Sequence, residues 1–143
     1  MRERAAANDV DVIFDRDLGD APEDAWEHEL DQLIFRGSRL MEEVVFFHRA
    51  SRTLIVADLI ESFEPEMLTV AERLLMRFGG VMHPDGKASR GFRATFLGHR
   101  DAARACLARI RAWDTERIVL AHGRWYPRDG RAVLRRAFRW LDP

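Results

Sequence analysis

Apolar residues recur along this chain with two different periods, and the change from one to the other divides it. Three runs, ELDQLIFRG (29–37), EEVVFFH (42–48) and RTLIVAD (52–58), are rich in the β-branched and aromatic residues that fit a pleated surface, and they predict strands. The short link RAS makes the last two a hairpin. Upstream, DVDVIFD (9–15) alternates weakly and predicts a further short strand, and GDAPEDAW (19–26) offers turn chemistry and one helical turn. Beyond Asp58 the period lengthens. Met67, Ala71, Leu74 and Phe78 follow i, i+4, i+7, i+11, which predicts a helix from Pro65 to Phe78 with Pro65 in its first turn and Gly79-Gly80 ending it. Residues 79–97 hold four glycines and a proline and read as a long irregular loop, a kind of segment that often carries function. A second helix is expected from about His99 to Trp113, then a strand Arg117 to Ala121. A last helix runs from Asp129, its N-cap, to Leu141, with Val133, Ala137, Phe138 and Leu141 facing inward.

The resulting order is strand, helix, helix, strand, helix, so the strands ending at Asp58 and His122 are separated by crossover material, as parallel neighbours are. Their carboxyl ends then share one edge of the sheet, the edge at which open α/β sheets bind ligands. An aspartate offers oxygen ligands and an imidazole one nitrogen, and both suit zinc or iron. Gly123, directly after His122, removes a side chain where a ligand or another backbone must come close. The same two residues have an ordinary alternative role, a hydrogen bond to one another or to nearby backbone.

Composition and charge narrow the picture. With 143 residues, 47% of them hydrophobic, the chain fits one domain with a proper core. Cys106, the single cysteine, permits no internal disulfide and no cysteine zinc cage; with Ala103, Ile110 and Trp113 it reads as core. No apolar run approaches a membrane span and the start MRERAAANDVDV has no apolar leader core, so a cytoplasmic protein is expected. The net charge of −1 conceals an asymmetry: residues 1–75 carry 8 basic and 18 acidic side chains, residues 76–143 carry 15 and 6. Lys87 is the only lysine. The arginines fall mostly on expected helices without interleaved exposed aromatics, which argues against nucleic-acid binding.

TLIVADL resembles the strand that delivers the metal-bridging aspartate of metallo-β-lactamase-fold proteins, and IVLAHG resembles the strand that ends in their final histidine ligand. EEVVFFHRASRTLIVADLIESF together with WDTERIVLAHGRWYP is similar to an uncharacterised bacterial branch of that fold, over about residues 30–143. The resemblance implies an α/β class, a partial metallo-β-lactamase-like sandwich with a mixed sheet and helices packed on one side. It places Asp58 at the bridging carboxylate and His122 at the late histidine, with zinc, iron or manganese as the metals such a site would take. Active members carry an early H-x-H-x-D-H motif. Here His28, His48, His83, His99 and His122 all stand alone, so the metal site is expected to be incomplete and the single domain to resemble the part of the fold that follows that motif. The implied function is a non-catalytic or binding module; the alternative is a metal-dependent hydrolase of an ester, lactone or phosphodiester that draws ligands from elsewhere.

Further pocket candidates are His48, Gly123 and Trp125. His48 also suits an ordinary partnership with Arg49, Ser51 or Glu43. Trp125-Tyr126 either wall a pocket or seal helix against sheet, sealing being the commoner use of aromatics. His83 and His99 fit solvated or capping roles. Asp85, Lys87, Ser89 and Arg90 offer an anion site within a loop that is equally consistent with plain polarity. No G-x-S-x-G elbow and no phosphate-binding P-loop occurs. Because VVFF and LIVA are apolar on both faces, while helices are evident for one side alone, a homodimer is expected in which one sheet covers the other.

Overall fold

The computed structural model describes residues 16–142; the expected strand in DVDVIFD lies outside them. The protein is α/β. Its four-stranded mixed sheet has the order β1 (Leu30–Phe35), β2 (Glu43–His48), β3 (Thr53–Val56), β4 (Arg117–Leu120). β2 runs antiparallel to both β1 and β3, and β3 pairs in parallel with β4 from Thr53↔Arg117 to Val56↔Leu120. The hairpin and the parallel crossover therefore stand as the sequence predicts.

Alternation decides which face is buried. Along β2, Glu43, Val45 and Phe47 point into the core while Val44, Phe46 and His48 point away. Leu33, Phe35, Leu54, Val56, Ile118 and Leu120 complete the inner face. Against it lie Ala103, Cys106, Leu107 and Ile110 of the helix Arg100–Ala112 and Val133, Leu134 and Ala137 of the helix Gly130–Ala137. Phe35 sits at the centre, with the rings of Phe138 at 5.7 Å and Phe96 at 6.1 Å; Trp113 stacks on Phe47 at 5.4 Å. Cys106 is a core residue, as its spacing implies. Near the N-terminal side a turn from Glu23 to Leu30 folds Trp26 over Gln32, and Arg36 bonds Asp20 at 2.7 Å. That bond comes first among the causes holding the Asp20 carboxyl below its ordinary pKa.

Three expectations need correction. Pro65 does not open the first long helix: Pro65–Met67 is a separate 3-10 turn, and the helix Val70–Gly79 starts at a capping box in which Thr69 and Glu72 exchange bonds. The loop 79–97 is partly ordered by pairings of Phe63 with Met82 and Glu61 with Lys87, and it contains a short helix, Arg90–Ala94, capped by Ser89. Asp129 occupies the N-cap position of the last helix with φ of 61°, yet its side chain bonds no backbone amide.

Two apolar surfaces stay open. Val44, Phe46, Ile55, Ala57, Val119 and Ala121, on the outer side of the sheet, line a depression of about 340 Å³. The helix Val70–Gly79 buries none of its residues, and Met67, Val70, Leu74, Leu75 and Phe78 are between 64% and 83% exposed. Among the described residues no helix is long and apolar enough to cross a membrane.

Candidate functional site

Extending the parallel register by two residues places Asp58 beside His122, just past the ends of β3 and β4. The amide of Ala121 still bonds Val56 O at 3.2 Å, so the two strands leave the sheet together. His122 Nε2 lies 3.2 Å from Asp58 Oδ1, with the side chains 51% and 35% exposed. The sequence distance of 64 residues is thus closed by the crossover.

Behind this pair stands a buried carboxylate, Glu43, whose role here sequence reasoning missed, having offered it only as a partner for His48. The β2–β3 register sets Glu43 opposite Asp58, and the Glu43 side chain accepts bonds from the amides of Ala57 (2.6 Å), Asp58 (2.9 Å) and Leu59 (2.9 Å). It holds the bend that presents Asp58. Burial pushes the Glu43 pKa up; the three amides oppose this and the charge of Asp58 adds to it. Glu61 is a second missed carboxylate. Its pKa is raised by burial and then by Asp58, and lowered by His122, so it lies within electrostatic reach of the pair.

Gly123 has φ of +100° and pairs with Ser62, whose amide bonds His122 O at 3.0 Å. A β-carbon there would fall 2.0 Å from Ser62 O. The glycine is required by a crossing backbone strand, one of the two reasons its position suggested. Ser62 is itself fully buried: its hydroxyl meets Tyr126 Oη at 2.8 Å and His83 Nδ1 at 3.1 Å. Tyr126 Oη also accepts from Gly86 N at 3.1 Å and reaches Pro84 O at 3.0 Å. This hub ties the loop that carries His83 to the floor of the site, and makes Tyr126 the sealing aromatic. Trp125 is 58% exposed and gives its indole N–H to Leu120 O at 3.1 Å, so it does not seal helix against sheet.

His48 does not belong here. It ends β2 opposite Thr53, five residues before Asp58 along β3 and its continuation, roughly 16 Å at the strand rise, and its Nδ1 pairs with Ser51 Oγ at 2.7 Å. His99 begins the helix Arg100–Ala112 without a side-chain cap bond.

Catalytic zinc takes three protein ligands and keeps a fourth position for water. Among the described residues no group of three or more histidine, cysteine, aspartate or glutamate side chains is placed to hold a metal ion. Asp58 and His122 supply two donors and are directed at each other. The residues present therefore do not fit a complete metal centre of the kind the resemblance implies. Comparison with known protein families finds no family model that matches the chain, and comparison with curated proteins finds no match.

Proposed function

We propose that the chain is a metallo-β-lactamase-like module with an incomplete metal site, acting as a binding module that pairs with a second copy through the open face of its sheet. The observation that carries this reading is the Asp58–His122 contact at 3.2 Å. Two residues matching a bridging aspartate and a late histidine stand side by side at adjacent parallel strand ends, and they satisfy each other. The pairing with a second copy is supported by the outer sheet face, where Phe46, Ile55 and Val119 form a row across three neighbouring strands with no layer over it among the described residues. The acidic first half and basic second half favour an antiparallel arrangement of two copies, contributing orientation more than affinity.

Metal analysis of the dialysed protein is the test of the site: zinc, iron and manganese are expected well below one per chain, and a retained stoichiometric metal would overturn the reading. Light scattering at micromolar concentration is expected to give a dimer that Phe46→Glu dissociates. A wild-type monomer whose melting does not depend on concentration would remove the pairing. Hydrolysis of an ester, lactone or phosphodiester that disappears in both Asp58→Ala and His122→Ala would replace the binding module with an enzyme.

A further inference from the structure

Several arginines of the basic half are matched with carboxylates, among them Arg111 with Asp142, Arg124 with Glu64, Arg131 with Asp114 and Arg136 with Asp85. A cluster beside Gly80 is not. Lys87, Arg90 and Arg93 converge on Gly80, where a methyl carbon would lie 3.5 Å from Lys87 Cε, 3.7 Å from Arg90 Nε and 3.8 Å from Arg93 Nη2. None of the three has a carboxylate within salt-bridge distance among the described residues. Three cations brought to one point repel one another, and a fold gathers them without a counter-charge only at a cost.

Lys87 and Arg93 line a cavity of about 480 Å³ together with Arg136, Arg139, Trp140 and Asp85, and Arg90 stands beside them at Gly80. Asp85 is engaged by Arg136 at 3.0 Å, which leaves Lys87, Arg93 and Arg139 of the lining without a carboxylate partner among the described residues. Within the same wall, Arg93 Nε and Trp140 Nε1 are N–H donors shielded from solvent that find no acceptor among the described residues. Shielded donors without acceptors are rare in folded proteins and ask for a missing partner. Burial, followed by the neighbouring Arg90 charge, holds the Arg93 pKa below the usual arginine value, as expected of a cation awaiting an anion. Arg90 lies over the Phe78 ring at 5.7 Å, which favours its placement beside Lys87 and Arg93.

We propose that Lys87, Arg90 and Arg93, together with Arg139 and the indole N–H of Trp140, form a binding site for a phosphate group. The guanidinium groups give forked donors to a tetrahedral oxyanion and Lys87 gives a compact point charge. This site is separate from the Asp58–His122 pair and stands without it.

Calorimetric titration of the full chain with inorganic phosphate and with pyrophosphate, at ionic strength held constant with chloride, is the experiment. Both are expected to bind wild type and raise its melting temperature. The double variant Lys87→Gln, Arg93→Gln should bind at least ~10-fold more weakly, the effect of losing charge-assisted bonds. Arg90→Gln, at an exposed position, gives a second measurement should the double variant fold poorly, and is expected to weaken binding in the same direction. Sedimentation with phosphatidylglycerol vesicles, against phosphatidylcholine as control, separates the two sources of phosphate. Binding to the anionic vesicles alone, lost on substitution, assigns the site to a lipid headgroup. No binding to phosphate, pyrophosphate or vesicles, or binding that Arg90→Gln leaves unchanged, overturns the proposal.

Discussion

Glu43→Ala should be among the most damaging single changes available near the strand ends. The substitution removes three acceptor contacts at once, from the amides of Ala57, Asp58 and Leu59. Leu59 is fully buried, so its orphaned amide bears the whole desolvation penalty of about 1–3 kcal/mol. Ala57 and Asp58 are partly open to water and should lose about 0.5–1.5 kcal/mol each. The total is about 2–6 kcal/mol, a large part of the stability of an ordinary domain. Glu43→Gln separates the acceptor role from the charge. Its amide oxygen can keep Asp58 and Leu59, leaving Ala57 to face an NH₂ group, so it should cost less than half as much. The two variants also differ from wild type in their response to pH. Because burial raises the folded pKa of Glu43 above its unfolded value, its favourable contribution is complete below the unfolded value and is lost as pH rises through the folded one. Wild type should therefore carry a component of stability that declines with pH above the ordinary glutamate range. Glu43→Gln should lack that component and retain the parallel one from Glu61, whose pKa moves the same way. Urea denaturation across pH measures both effects. If Glu43→Ala unfolds within ~0.5 kcal/mol of wild type, or if the Gln variant is as damaged as the Ala variant, the clamp does not do what its geometry implies.

Three further outcomes are expected. Gly123→Ala should cost more than ~3 kcal/mol in urea denaturation, since a β-carbon 2.0 Å from Ser62 O forces apart two backbones and φ of +100° disfavours any side chain; an unchanged midpoint would show that the crossing relaxes freely. Tyr126→Phe should lose about 1–3 kcal/mol by leaving the Gly86 amide and Ser62 hydroxyl short of a partner, and limited proteolysis should show new cuts within 81–88; a silent variant would mean that water replaces the phenol. Leu74→Ser should stay within ~0.5 kcal/mol of wild type in melting experiments, because the side chain is mostly exposed; a large loss would place it against something the single chain lacks.

The elements most legible in the sequence were those whose pattern is local. The β-branched and aromatic residues of EEVVFFH identified β2, and the 3.6-residue period identified the helix that buries Cys106 and Ile110. The meeting of Asp58 with His122 was legible too, since crossover material between two apolar runs leaves parallel pairing as the economical arrangement. Glu43 was read only as a candidate partner of His48, although it carried a further signal: it is in phase with Val45 and Phe47, the inward residues, whereas Glu42 is not. A charged residue on the buried phase of a strand must find donors, and the amides leaving the neighbouring strand supply them. The start of the helix Val70–Gly79 was misplaced because Pro65 is a strong first-turn residue, while the Thr69 and Glu72 capping box four residues later settles the boundary. The Ser62, His83 and Tyr126 hub had no sequence signal, since its members are far apart and each is unremarkable alone. The convergence of Lys87, Arg90 and Arg93 required the turn at Gly80, which no period announces.

The capping box and the left-handed Gly80 at its far end are the chief restraints on the helix Val70–Gly79, which buries no side chain. A ten-residue helix of that kind is marginal by itself in water. Its amides should therefore exchange with solvent deuterium through local openings far cheaper than global unfolding, while those of β2 and β3 wait for the whole domain to open. The exchange rate of this one helix becomes a gauge of occupancy. Anything that comes to rest on Leu74 and Phe78 would slow it by the factor that measures the strength of the contact, and the slowing would be visible in a segment whose unbound rate is near its upper limit.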